Sequence, residues 1–471
     1  MKKTTILSIL LTSTIFANVP NTIISNKKSD LKITIYNKNL AFINDSRNSF
    51  VKKGKQNLVY EGVPSQIISE SVIPTFTNIK TNLYSQNYMY DLISLHSMLK
   101  YSVDSTVEYF NNNYLNVSNP ERFKGKLLSI SPVMIEDFDE NRIITLNNPA
   151  QVVFSSVPKS MITKPSLVWN IETEKEGELD VDLKYLTRGI TWKSDYVLNL
   201  NENSLDLNGW ITINNNSGVS YNNAKITCLA GNINTVNIDR LKYKNGLINA
   251  KMESFAMASD EIVSESFSGY HIYKIPFKES IENKQKKQIT FINKKEIKYI
   301  QYGQHTNNNF NNYGMQKLIF NNTIEFTNDK ENHLGIALPN GIVRMYKKDK
   351  NGDTHFIGED NIKNTPKNEK INLNIGTMFD VVGDKIITKF NADKYNRNVE
   401  TTYEVRNQGE SNVSVRIREI IPTYGRKIDI KSSCSDNCKI IKKDAFRREF
   451  IIELLPEEKY TFTSEFNIKY H

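Results

Sequence analysis

Cysteine is scarce: three residues in 471, so a scaffold held together mainly by disulfides is excluded. Histidine is scarce too, and His96, His271, His305, His333, His355 and His471 are never paired at helix or strand spacing, which argues against a structural metal centre. Beyond the N-terminal stretch no window approaches ~18 consecutive apolar residues, so no helix of the remaining chain is long and apolar enough to span a bilayer. Glycine numbers only 20. With irregularly spaced loops and strands of mostly six to nine residues, that low count speaks against an outer-membrane barrel, despite a closing-strand pattern in YTFTSEFNIKY. A phosphate-cradling glycine loop, G-x-G-x-x-G and G-x-S-x-G are all missing, which removes the usual support for nucleotide binding or a nucleophile elbow. Charge of one sign is missing as a run: 61 Lys and Arg are scattered among 52 Asp and Glu, so nucleic-acid binding is not indicated.

What is present is apolar alternation. In GITWKSDYVLNLNENSLDLNGWITI, Trp192, Tyr196, Leu198 and Leu200 fall on one side, and Leu205, Leu207, Ile211 and Ile213 continue that side after a polar turn. This predicts a long hairpin with one buried face. With 39% hydrophobic residues, including 23 Tyr and 22 Phe, the chain has material for several cores.

The first 17 residues read as a secretory leader: Lys2 and Lys3, a short apolar run, and a small residue at Ala17 as the cleavage point. The expected placement is therefore periplasmic or secreted, including association with the periphery of the outer membrane. In such a compartment Cys434 and Cys438, spaced by Ser435-Asp436-Asn437, are expected to form a disulfide. Cys228 shares a strand face with Ile226 and reads as a buried, inert thiol.

Strand patterns divide the remainder. Residues 31–102 read as an N-terminal β segment whose only helical spacing is Leu95, Met98 and Leu99. Residues 103–158 carry short strand patterns with polar connections and are expected to form a small β-barrel-like insertion. Residues 165–398 read as a central β-sandwich region, interrupted by residues 237–267 as a loop insertion. Residues 399–471 alternate cleanly enough to predict an immunoglobulin-like sandwich, without the Cys…Trp…Cys pattern. The fold class expected is all-β, with multi-domain antiparallel sandwiches.

No constellation predicts catalysis. Asp180 and Asp182 share a strand face, and their alternation with Val181 and Leu183 reads as a solvated surface. DKNGDTHFIGED places Asp349, Asn351 and Asp353 at calcium-loop spacing. However, Thr354 stands where glycine is needed and the flanks read as strands, so a hairpin turn is the better account.

Several motifs occur in order: ITIYNKNLAFINDSR, GVPSQIISESV, YLTRGITWKSDYVLNL, YHIYKI and LPNGIVRMYKKDKNGDTHFIGED. Across nearly the whole mature chain they resemble an uncharacterised family of secreted bacterial proteins. That family shares its domain of unknown function with the C-terminal part of the mucoidy-inhibitor proteins. The resemblance implies a Gram-negative envelope protein of β construction and supplies no catalytic residue. The sequence thus points to a non-catalytic binding or structural protein contacting an envelope protein or polysaccharide, with no cofactor. The alternative is a hydrolase of cell-wall or extracellular polymers whose site is assembled from loops.

Overall fold

The computed structural model describes residues 21–24, 28–110, 122–158, 161–231, 233, 263–267, 269–311, 314–421, 427–433 and 437–469. The described chain is almost entirely strand and separates into two compact units. The first comprises residues 1–191, 214–228 and 275–285, and the second residues 192–213, 229–274 and 286–471.

In the first unit, strands Tyr221–Ala230, Lys28–Tyr36, Leu40–Val51, Gly177–Thr187 and Ile73–Thr77 follow one another in one sheet. Their alternation buries Ile33, Ile35, Ile43, Leu179, Val181 and Leu183 on one face. The same parity buries Asp45 and Arg47, which form an ion pair 2.7 Å apart. A four-stranded sheet runs in the order Asn21–Ile24, Gly54–Glu61, Ser166–Thr173, Thr81–Met89, with Trp169 and Tyr60 fully buried beneath it.

The expected barrel in residues 103–158 is not formed. Five strands lie in the order Arg142–Leu146, Val133–Asp137, Phe123–Ile130, Thr106–Tyr109, Val152–Val153, and the two ends do not pair. Closure is unnecessary because helix Leu95–Tyr101 contributes Leu99 to the same core as Val107, Leu127 and Ile135, covering the apolar face. That helix starts where its sequence dictates: Ser94 accepts from the Ser97 amide, a side-chain cap on the first free N–H groups.

Among the described residues, three more sheets lie in the second unit. The hairpin expected from the sequence is present as Ile190–Leu200 and Ser204–Asn215, flanked by Gln285–Lys298 on one side and by Gly341–Lys348 and Thr354–Ile362 on the other. A six-stranded sheet (Lys370–Thr377, Asn321–Thr327, Ile300–Asn307, Val413–Ile420, Arg447–Leu454, Cys438–Lys442) and a five-stranded sheet (Met315–Leu318, Val381–Ala392, Asn396–Asn407, Lys459–Lys469, Lys427–Ser433) complete it. These last two sheets share a core in which Val415, Ile417, Phe450 and Ile452 from one meet Tyr403, Val405 and Phe462 from the other.

Two further expectations are corrected. The C-terminal strands do not make an immunoglobulin-like sandwich of their own. Val413–Ile420 pairs with Ile300–Asn307, and Asn396–Asn407 pairs with Val381–Ala392, so each sheet is completed by strands from before residue 399. Nor is the pairing purely antiparallel, since Asn21–Ile24 with Gly54–Glu61, Ile190–Leu200 with Gly341–Lys348, and Ile300–Asn307 with Val413–Ile420 are all parallel. Parallel neighbours come from distant stretches of chain, which no local alternation encodes. Most of the insertion at 237–267 lies outside the described residues, but its last five, Val263–Phe267, form a strand paired with Tyr270–Ile281.

Candidate functional site

In the first unit the strand Thr81–Met89 ends its sheet, and among the described residues nothing pairs with its outer edge. Its sequence, TNLYSQNYM, carries no charge and no proline, the usual defences of a free edge. The inner edge pairs with Ser166–Thr173, and Trp169 Nε1 donates to Gln86 Oε1 at 2.8 Å, fixing the register. A register shift between Asn170 and Ile171 gives Tyr84 no directly opposing partner. Tyr84 is 57% exposed, its hydroxyl donates to Glu172, and Lys55 Nζ sits 5.6 Å from the ring centroid. The bond to Glu172 raises the phenol above its ordinary value. Past the strand, Tyr90 is 70% exposed with its ring 5.4 Å from that of Tyr88, and Leu92, Ile93, Leu95 and Tyr101 are exposed as well. Exposed apolar side chains thus follow directly on a bare sheet edge.

Leu92 also lines a cleft of about 610 Å³ with Gly62, Lys164, Pro165, Val219 and Asn223. In the second unit a cleft of about 510 Å³ is lined by Lys193, Ser194, Asn340, Ile342, Asn361 and Lys363. Neither wall contains a carboxylate, histidine or cysteine. Ser194 is not poised as a nucleophile, because its hydroxyl donates to the Asn340 carbonyl at 2.7 Å and so ties two parallel strands together.

The other candidate groups are engaged structurally. Asp180 accepts from Asn78 Nδ2 at 3.0 Å and Asp182 accepts from the Ser46 hydroxyl. Asp349 Oδ1 accepts from the amides of Asn351 and Asp353 at 2.9 and 3.0 Å, and its Oδ2 lies 3.0 Å from His355 Nε2. This is the hairpin turn the sequence suggested, joining Gly341–Lys348 to Thr354–Ile362. Burial pushes the Cys228 thiol far up, out of the reactive range. Burial holds His305 below its ordinary value, opposed by a ring-nitrogen contact of 3.0 Å to the Ile319 carbonyl. Among the described residues no three of His, Cys, Asp and Glu converge as metal ligands would. Cys434 and Ala17, the expected bridge partner and cleavage point, lie outside the described residues. Cys438 opens its strand opposite Ile452 and packs against the core of the last two sheets.

Carboxylates on the outer face of the five-stranded sheet are matched to cations. Lys317 and Arg406 hold Asp384 below its ordinary 3.8, and Lys459 and Arg406 hold Glu404 below its ordinary 4.5. A carboxyl depressed in the folded state contributes stability above its unfolded value and loses it as pH falls through the folded one. Urea midpoints are therefore expected to fall as pH drops below about 4. Lys459→Met should flatten that fall, and an unchanged acid limb in the variant would show that these pairs do not contribute.

The parity rule also delivers a polar cluster that motif searching missed. Glu419, Tyr403, Arg448, Ser464, Asn307 and Lys385 are all buried between the last two sheets of the second unit. Glu419 Oε2 accepts from Arg448 Nε at 2.5 Å and from the Ser464 hydroxyl at 2.7 Å, and Glu419 Oε1 accepts from Tyr403 at 2.6 Å. Tyr403 in turn accepts from Asn307 Nδ2 at 2.5 Å, and Lys385 Nζ donates to Asn307 Oδ1 at 2.8 Å.

No family model matches the chain, and no curated protein matches it either.

Proposed function

We propose that the chain is an exported envelope protein that works by binding, without catalysis, and that its partner is an envelope protein whose extended segment adds to the edge strand Thr81–Met89. The observation that carries this reading is that edge: nine residues without charge or proline, exposed on both faces and followed by the exposed side chains of Tyr90, Leu92, Ile93, Leu95 and Tyr101. A bare edge of this composition is a template for another strand, and an exported protein that left it uncovered would self-associate. Strand addition supplies main-chain hydrogen bonds for affinity, while Tyr84, Tyr90 and Leu92 supply side-chain contacts for selectivity. Clefts lined without a carboxylate, histidine or cysteine support the binding reading over the hydrolase one. The leader ending at Ala17 and the resemblance to secreted envelope proteins support the location.

A photocrosslinker at Tyr90, activated in intact cells, is expected to give a discrete adduct with one envelope protein. The double substitution Ser85→Lys and Asn87→Lys, which charges the edge, should abolish it without altering the β-sheet circular dichroism. An adduct that survives the two lysines, or one with glycan alone, would overturn the proposal.

A further inference from the structure

We infer that Lys385 and Asn307 join through an intramolecular amide bond, a covalent staple between the two facing sheets that end the second unit. Lys385 stands in the middle of Val381–Ala392 in the five-stranded sheet, whereas Asn307 closes Ile300–Asn307 in the six-stranded one. The two residues lie 78 apart in sequence, yet Lys385 Nζ is 2.8 Å from Asn307 Oδ1, with both residues 3% exposed or less. An amine held by a hydrogen bond to the amide oxygen lies one short shift from the adjoining carbon, with a large effective concentration and with water excluded.

The surrounding groups meet the requirements of that reaction. Burial lowers the lysine amine below its ordinary value, opposed by the charge of Glu419, so the neutral nucleophile becomes more accessible. The Asn309 amide donates to Asn307 Oδ1 at 3.2 Å and stabilises the charge that develops on that oxygen. On the leaving side, Asn307 Nδ2 touches the Tyr403 hydroxyl, which touches Glu419 Oε1, making a continuous path for protons. Arg448 and Ser464 hold the glutamate in place. In the step, Lys385 Nζ bonds to Asn307 Cγ and the Cγ–Nδ2 bond breaks. One amine proton passes to Nδ2, which leaves as ammonia. Nothing is oxidised or reduced, and no co-reactant is needed.

The test is the intact mass of the mature chain, purified folded and then denatured. The expected value is the sequence mass less one ammonia, and proteolysis should yield a branched peptide joining the segments around residues 307 and 385. Lys385→Arg should restore the full mass and remove the branched peptide. Asn307→Asp should still form the bond, now with loss of water. Full mass in the wild-type chain would overturn the inference, whether or not the variants fold. So would an ammonia loss without a branched peptide, as a succinimide at Asn351-Gly352 would give.

Discussion

Replacing Arg47 by Leu is expected to destabilise the first unit by about 3–5 kcal/mol, because it strands a carboxylate in the core. Asp45 is fully buried and Arg47 is 1% exposed. The guanidinium reaches Asp45 Oδ2 through Nη2 at 2.7 Å and Nε at 3.2 Å, donates to the Glu61 carbonyl at 2.7 Å, and lies 3.9 Å from the Tyr60 ring centroid. Truncating it removes the cation, a backbone tie between two strands and a stacking contact together. Desolvating an ion pair costs about as much as the pairing returns, so removing both charges should cost much less than removing one. Urea unfolding of Arg47→Leu, Asp45→Val and the double variant would check this. A double variant as unstable as the sum of the two singles would show that the two charges do not compensate one another.

A comparable loss, about 3–5 kcal/mol, is expected for Gly189→Val, from left-handed backbone strain plus a clash that only backbone movement relieves. Gly189 has φ +85°, and a Cβ there would lie 2.7 Å from Ser217 Cα and 2.9 Å from the Asn216 carbonyl carbon. The contact is held by the Asn216 amide donating to the Gly189 carbonyl at 2.6 Å. Gly352, at φ +93° in the Asp349 turn, is the control: its Cβ position is open, so Gly352→Ala should cost only about 1–2 kcal/mol of conformational strain. Equal losses at the two positions would show that crowding at Gly189 contributes nothing.

The sequence made the strands legible because their burial has the period of the pleat. Leu205, Leu207, Ile211 and Ile213 are all buried, and the spacing of Leu95, Met98 and Leu99 marked the helix. Sheet assignment was not legible. Alternation says which face a residue takes but not which strand lies beside it, so the parallel pairs and the recruitment of strands before residue 399 into the last two sheets were missed. The barrel expectation failed because the sheet in residues 103–158 stays open and a helix from outside those residues covers its core. The buried polar groups were within reach. Asp45, Arg47, Lys385, Glu419 and Arg448 sit at the parity of their apolar neighbours, and a charge on that parity signals a paired interior site. The exposed edge at Thr81–Met89 left a weaker trace, in that tyrosines and amides share one parity and no charge marks the other.

The chain passes from one unit to the other after residues 191, 213, 228, 274 and 285. No single cut in the gene therefore separates the two. A C-terminal truncation after residue 191, 213, 228 or 274 removes pieces belonging to both, and a fragment ending near residue 191 lacks two later contributions to its own unit. Isolating either unit intact has to proceed by rewiring the order of segments, because every uninterrupted stretch that holds all of one unit also carries part of the other.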